Sequence, residues 1–132
     1  MRVLIADDSH AIRELLTELL RDLDGVEIVG PAEDASQAGD LAKRLKPDVA
    51  VLDVRMPKGS GIDVLSAIKE NDPTAIVIML TNFANREIRQ QSIDGGADYF
   101  FDKAVELGRF ISVLRRISHF SYPRRHTPPA PQ

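Results

Sequence analysis

Val49-Ala50-Val51-Leu52-Asp53 and Val3-Leu4-Ile5-Ala6-Asp7-Asp8 decide the fold of this chain. Each is a run of four apolar residues, mostly β-branched or aliphatic, that ends abruptly in carboxylates. Uninterrupted apolar runs of this length suit strands covered on both faces, as in a parallel sheet. Side by side, the two runs bring their carboxyl ends together, at the edge where open α/β sheets place ligands. Three carboxylates then share one pocket, and such a cluster repels itself unless a cation sits among them. The arrangement suggests a divalent metal site.

Outward from these runs, short β-rich segments alternate with segments of helical period, the pattern of successive βαβ units. Residues 2–6 read as the first strand. Ile12, Leu15, Leu16, Leu19, Leu20 and Leu23 then recur at the three-four spacing of a buried helical stripe, with Ser9 placed to cap it. Residues 26–29 read as a second strand, and Ala38, Leu41, Ala42 and Leu45 as one face of a helix that ends before Pro47. Residues 48–53 form the third strand.

The stretch from Val54 to Gly61 reads as a loop by its Pro and Gly content, followed by a helix with Val64, Leu65 and Ile68 inward that stops at Pro73. Ala75 to Leu80 is a fourth strand running into Thr81. A helix around Arg86 to Ile93 stops at Gly95-Gly96, and Tyr99-Phe100-Phe101 gives a fifth strand. Phe110, Val113, Leu114 and Ile117 mark the last helix. The expected domain is 1–119, with 120–132 as a Pro-rich extended tail.

Composition is consistent with this reading. The 132 residues are 43% hydrophobic and 28% charged, enough for one domain with a real core. Absence of cysteine excludes disulfides, thiol chemistry and Cys-based zinc sites, and permits a cytoplasmic setting. No apolar stretch approaches the roughly 20 residues needed to cross a bilayer, so neither membrane insertion nor a signal peptide is expected. Net charge is −3, yet beyond Glu106 there is no acid, only Arg109, Arg115, Arg116, Arg124 and Arg125. That basic end suits a solvated helix face with a tail, or docking of an acidic partner or nucleic acid.

Asp7, Asp8, Asp53, Thr81 and Lys103 all follow expected strands and so point to one cleft. Singly, each has a plain explanation: Asp7-Asp8 or Thr81 as helix caps, Lys103 as a surface lysine. Asp53 resists such an explanation, because a carboxylate ending four apolar residues is partly desolvated and needs a cation or donors. Together the five suit phosphoryl transfer. Hard oxygen ligands without His or Cys favour Mg²⁺. Asp53 is placed as a carboxylate nucleophile, with Lys103 and the Thr81 hydroxyl as a clamp on the phosphoryl oxygens.

This ordered set resembles the receiver domain of bacterial two-component response regulators, over about residues 2–118. It comprises Asp7-Asp8, Asp53, Pro57, Gly61, Thr81 and Lys103 at their respective strand ends and loops. The resemblance implies a flavodoxin-like (βα)5 fold, a five-stranded parallel sheet of order 2-1-3-4-5 with helices on both faces. It also implies that Asp53 accepts a phosphoryl group from a sensor histidine kinase or histidine phosphotransfer protein. Asp8, Asp53 and the backbone carbonyl of Arg55 would hold Mg²⁺, with Asp7 acting through a bound water. Thr81 and Phe100 would be switch residues, moving the face formed by helix 4, strand 5 and helix 5. From sequence alone, without the resemblance, Phe100 reads first as a plain core aromatic.

Three departures from the family pattern qualify the transfer. Asn82 stands where a small residue is frequent, which implies hindered access for small phosphodonors or water. Ala104 replaces a frequent proline after Lys103; a non-proline cis bond costs about 2.5–4 kcal/mol, so a trans bond is expected. Arg55 and Phe83 occupy variable positions that can screen the approach to Asp53.

The function expected is a standalone receiver, not a turnover enzyme, acting on an unidentified output protein without direct DNA binding. A homodimer is possible on family grounds. The alternative is a receiver belonging to a larger regulator. A phosphohydrolase of the haloacid dehalogenase type expects a second Asp two residues after the nucleophile, where this chain has Arg55. A pseudo-receiver scaffold fits poorly with a complete site.

Overall fold

The computed structural model describes residues 1–120, with the side chain of Phe120 excepted. The elements follow the expected alternation: β1 (Arg2–Ala6), α1 (His10–Arg21), β2 (Glu27–Ile28), α2 (Ala35–Leu45), β3 (Val49–Leu52), β4 (Arg55–Met56), β5 (Gly59–Ser60), α3 (Gly61–Asn71), β6 (Ile76–Thr81), α4 (Arg86–Asp94), β7 (Tyr99–Asp102) and α5 (Leu107–Phe120). β1, β2, β3, β6 and β7 pair in parallel as one sheet, ordered β2-β1-β3-β6-β7. Set apart from the small β4–β5 hairpin, this is the flavodoxin-like order 2-1-3-4-5. Residues 121–132, which carry nearly all of the expected tail, lie outside the described residues.

Helices cover both faces because the central strands are apolar on both. Leu4, Ala50, Leu52, Val77 and Met79 pack with residues of α2 and α3 on one side. Val3, Ile5, Val49, Val51, Ile78 and Leu80 pack with Leu16, Leu20, Phe110 and Leu114 of α1 and α5 on the other. Successive side chains of a strand alternate between faces, which divides the two cores residue by residue.

Three local readings differ from expectation. Leu15 is 41% exposed rather than inward. At 3.6 residues per turn it lies about 60° around the helix from Ile12, off the arc where Leu16 and Leu20 meet the sheet. The second strand shortens to Glu27–Ile28, although Val29 still donates from its backbone to Val3 O at 2.8 Å. The loop after Asp53 contains a hairpin: Arg55 pairs with Ser60 and Met56 with Gly59. Its tight turn is made by Lys58 at φ 61° and Gly59 at φ 134°, in the left-handed region that favours glycine. Gly30–Pro31 is the one cis peptide among the described residues, so Lys103–Ala104 is trans as expected.

Candidate functional site

Parallel register brings the strand ends into one cleft. Ala6 lies opposite Leu52 and Leu52 opposite Met79, while Thr81 lies opposite Asp102. The ladder continues past the strands, with Asp53 N–H donating to Ala6 O at 3.0 Å and Lys103 N–H to Thr81 O at 2.8 Å. Gly61 closes the back of the site: a Cβ there would stand 2.0 Å from the Asp53 carbonyl oxygen, so α3 starts against Asp53 only because this residue has no side chain.

Carboxylate oxygens of Asp7, Asp8 and Asp53 lie within 4.8 Å of one another, with Asp7 and Asp53 buried and Asp8 exposed. Lys103 Nζ enters between the buried pair, donating to Asp7 Oδ2 at 2.5 Å and Asp53 Oδ2 at 2.9 Å. Asp7 Oδ1 accepts from Ser9 N–H at 2.9 Å, and Arg55 N–H points at Asp53 Oδ1 from 3.4 Å. Burial pushes the Asp7 carboxyl above its ordinary range, and the Lys103 and Ser9 donors offset only part of that. Burial alone would lower Lys103, but two carboxylate partners outweigh it and hold the ammonium above its usual range. One ammonium, bonded to two carboxylates, thus stands in a cluster of three.

That surplus of negative charge, on hard oxygen donors gathered at one opening, fits a divalent cation of the magnesium type. Neither acid of the pair is the helix cap. Ser9 takes that role, its Oγ accepting from Ile12 N–H. Thr81 is fully buried, and its Oγ1 accepts from Phe83 N–H at 3.1 Å, closing a turn; Asn85 caps α4 instead. Thr81 makes no hydrogen bond to the carboxylates in this state.

Phe100 is buried at 8% exposure, with the Arg89 guanidinium 4.7 Å above its ring. Arg55 and Phe83 are brought together, the guanidinium carbon 3.9 Å from the ring centroid. Because β3 and β6 are neighbours, this stacked pair spans the gap between the strands carrying Asp53 and Thr81. Both residues are singled out by sequence, but their stacking is not visible there. Arg13 had no signal at all in the sequence, and its guanidinium donates to the Asp7 carbonyl at 2.7 Å.

A groove of about 350 Å³ lies between α2 and α3, lined by residues such as Gly39, Ala42, Pro47 and Ile68. It opens at the amino edge of the sheet, remote from the carboxylates, and its lysines are solvent-exposed. No helix among the described residues is long and apolar enough to cross a membrane.

Comparison with known proteins agrees with this geometry. The chain is 40% identical over 113 residues to the transcriptional regulatory protein PdtaR of Mycobacterium tuberculosis, covering 86% of this chain and 54% of that protein. It therefore spans about half the length of that relative. Chemotaxis protein CheY of Thermotoga maritima is 32% identical over 117 residues, covering 89% of this chain and 97% of that one. Among solved structures, the Borrelia burgdorferi CheX-CheY-BeF3-Mg²⁺ complex superposes with a TM-score of 0.74 at 33% identity, covering 86% of this chain and 89% of that one. Phosphorylation and Mg²⁺ are general features of such domains, which act as phosphoacceptor modules in two-component signalling. The response regulator receiver domain model matches residues 3–115, and the chain belongs to that family.

Proposed function

We propose that this chain acts as a receiver in which Asp53 is the phosphoacceptor and Asp8, Asp53 and the Arg55 carbonyl would hold Mg²⁺, with Asp7 acting through a bound water. The observation that carries the reading is the Asp53 carboxylate itself: buried at the end of β3, within reach of two further carboxylates and 2.9 Å from Lys103 Nζ. A histidine kinase or histidine phosphotransfer protein supplies the phosphoryl group. An Asp53 oxygen attacks phosphorus as the bond from phosphorus to the imidazole nitrogen breaks, and the donor histidine leaves.

Mg²⁺, when bound, neutralises charge on the carboxylates and the incoming phosphoryl oxygens. Lys103 then exchanges its bond to Asp53 for one to a phosphoryl oxygen. Thr81 leaves its turn with Phe83 to donate to another. A phosphoryl group adds roughly −1.5 to −2 charges, which favours the conformer bringing both donors closest. Phe100 follows into the space that Thr81 vacates, and the α4–β7–α5 face changes. Output passes through a protein partner, in a cytoplasmic setting, without DNA contact by this chain. The Arg55–Phe83 stack screens the approach to Asp53.

The test is to incubate the protein with Mg²⁺ and acetyl phosphate or a phosphorylated kinase, beside Asp53→Asn. Intact-mass analysis and peptide mapping are expected to find one phosphoryl group on Asp53 and none in the variant. Label on another residue, or no reaction with any donor, overturns the assignment. Sustained turnover of phosphate esters would point to a hydrolase instead.

A further inference from the structure

Lys103 anchors Asp7 and Asp53, but it does not touch Asp8. The Asp8 side chain is exposed and takes no hydrogen bond or ion pair among the described residues. Its position as a ligand is therefore set by its backbone, and above all by the peptide joining Asp7 to Asp8. The oxygen of that peptide is the Asp7 carbonyl, and Arg13 Nη1 donates to it at 2.7 Å.

Arg13 is built to hold that bond. Its side chain is 12% exposed, unusual for an arginine near the start of a surface helix. Its own backbone is tied into α1 at both ends, N–H to Ser9 O at 3.0 Å and carbonyl from Thr17 Oγ1 at 2.7 Å. The other arm of the guanidinium lies 3.9 Å from Glu33 Oε2 and 3.5 Å from His10 Nδ1. Asp7 N–H donates to Ala32 O at 3.1 Å, so the same turn is secured from the β2–α2 loop as well. With its carbonyl held, rotation of the Asp7–Asp8 peptide plane is opposed, and the Ser9 N–H bond to Asp7 Oδ1 at 2.9 Å restrains the next plane, so the direction of the Asp8 Cα–Cβ bond is restrained from both sides.

We propose that Arg13 is a positioning residue for Asp8 as a cation ligand, which rests on reading the carboxylate cluster as a divalent-cation site. The sign of its effect separates this role from plain electrostatics. A guanidinium beside an anionic pocket repels a cation, so its charge alone makes removal tighten binding. Positioning makes removal weaken it. Outer partners that orient metal ligands typically contribute 10–100-fold to affinity.

Mn²⁺ serves as the probe, a hard divalent ion whose free concentration is read directly by electron paramagnetic resonance. Arg13→Met is expected to bind Mn²⁺ about tenfold more weakly than wild type, within the range for such partners. Arg13→Lys, keeping one donor and the charge, recovers most of the affinity. In an Asp8→Asn background, Arg13→Met causes no further loss, because its effect runs through Asp8. Thermal melts establish that each variant is folded at the titration temperature, and Arg13→Gln replaces Arg13→Met under the same criteria should the latter unfold. Unchanged or tighter binding on losing Arg13, or an equal loss in both backgrounds, overturns the proposal. Failure of the wild type to bind Mn²⁺ removes the cation site itself and the proposal with it.

Discussion

Lys69 and Lys103 sit at opposite edges of the same sheet, and both bridge elements through buried or half-buried ammonium groups. Lys69 Nζ donates to Ala75 O at 2.6 Å and Asp98 Oδ2 at 2.8 Å, and Asp98 in turn accepts from Val77 N–H. One cation meets one anion, each with further backbone partners, near the amino end of β6. Lys103 meets Asp7 and Asp53 with all three side chains at 7% exposure or less, and Asp8 stands beside them. The first arrangement is balanced and acts as a clip between α3 and the sheet. The second is short of positive charge, and that deficit, rather than the presence of an ion pair, distinguishes a site from a staple.

Breaking each pair separates the two most sharply. Lys103→Met leaves buried carboxylates without their ammonium and is expected to destabilise the metal-free protein by about 3–5 kcal/mol. Mg²⁺ should restore a measurable part of that in urea unfolding, because a cation at the cluster supplies the missing charge. Stability unmoved by Mg²⁺ would break the comparison at its centre. Lys69→Met should cost only about 1 kcal/mol, since Asp98 is more than a third exposed and water screens the pair. Mg²⁺ should return none of it, and a Mg²⁺ rescue of Lys69→Met would erase the distinction.

The smallest effect concerns Glu106, which borders the Lys103 loop. Its carboxyl lies below its ordinary value of 4.5, held there by the Asp102 N–H and then by Arg109. A depressed acid contributes stability that is present above its unfolded value and lost as pH falls through the folded one. Glu106→Gln should therefore flatten the fall in melting temperature below pH 4.5, with little change at neutral pH. A profile identical to wild type would show that the acid flank of the site carries no pH-dependent stability.

Much of the site was legible because strand ends are legible. An apolar run marks a strand, its first polar residue marks the carboxyl edge, and parallel pairing gathers such residues whatever lies between them. That logic places Asp7, Asp8, Asp53, Thr81 and Lys103 at one edge from residue order alone. It does not hold at Leu15, whose hydrophobicity does not imply burial because the residue lies off the contact arc. It also missed the β4–β5 hairpin, whose turn depends on Lys58 adopting a positive φ that its residue type does not advertise.

Local patterns thus determined, by themselves, the alternation of strands and helices, the two-sided core and the identity of the acidic cluster. These follow from periodicity and from the free-energy cost of burying a carboxylate without partners. Only the tertiary structure decided how the charges are divided: Lys103 shared between Asp7 and Asp53, Arg13 on the Asp7 carbonyl, Arg55 stacked on Phe83. Such pairings join residues far apart in the chain or turn on one side-chain torsion, and neither distance in space nor torsion is written in residue order.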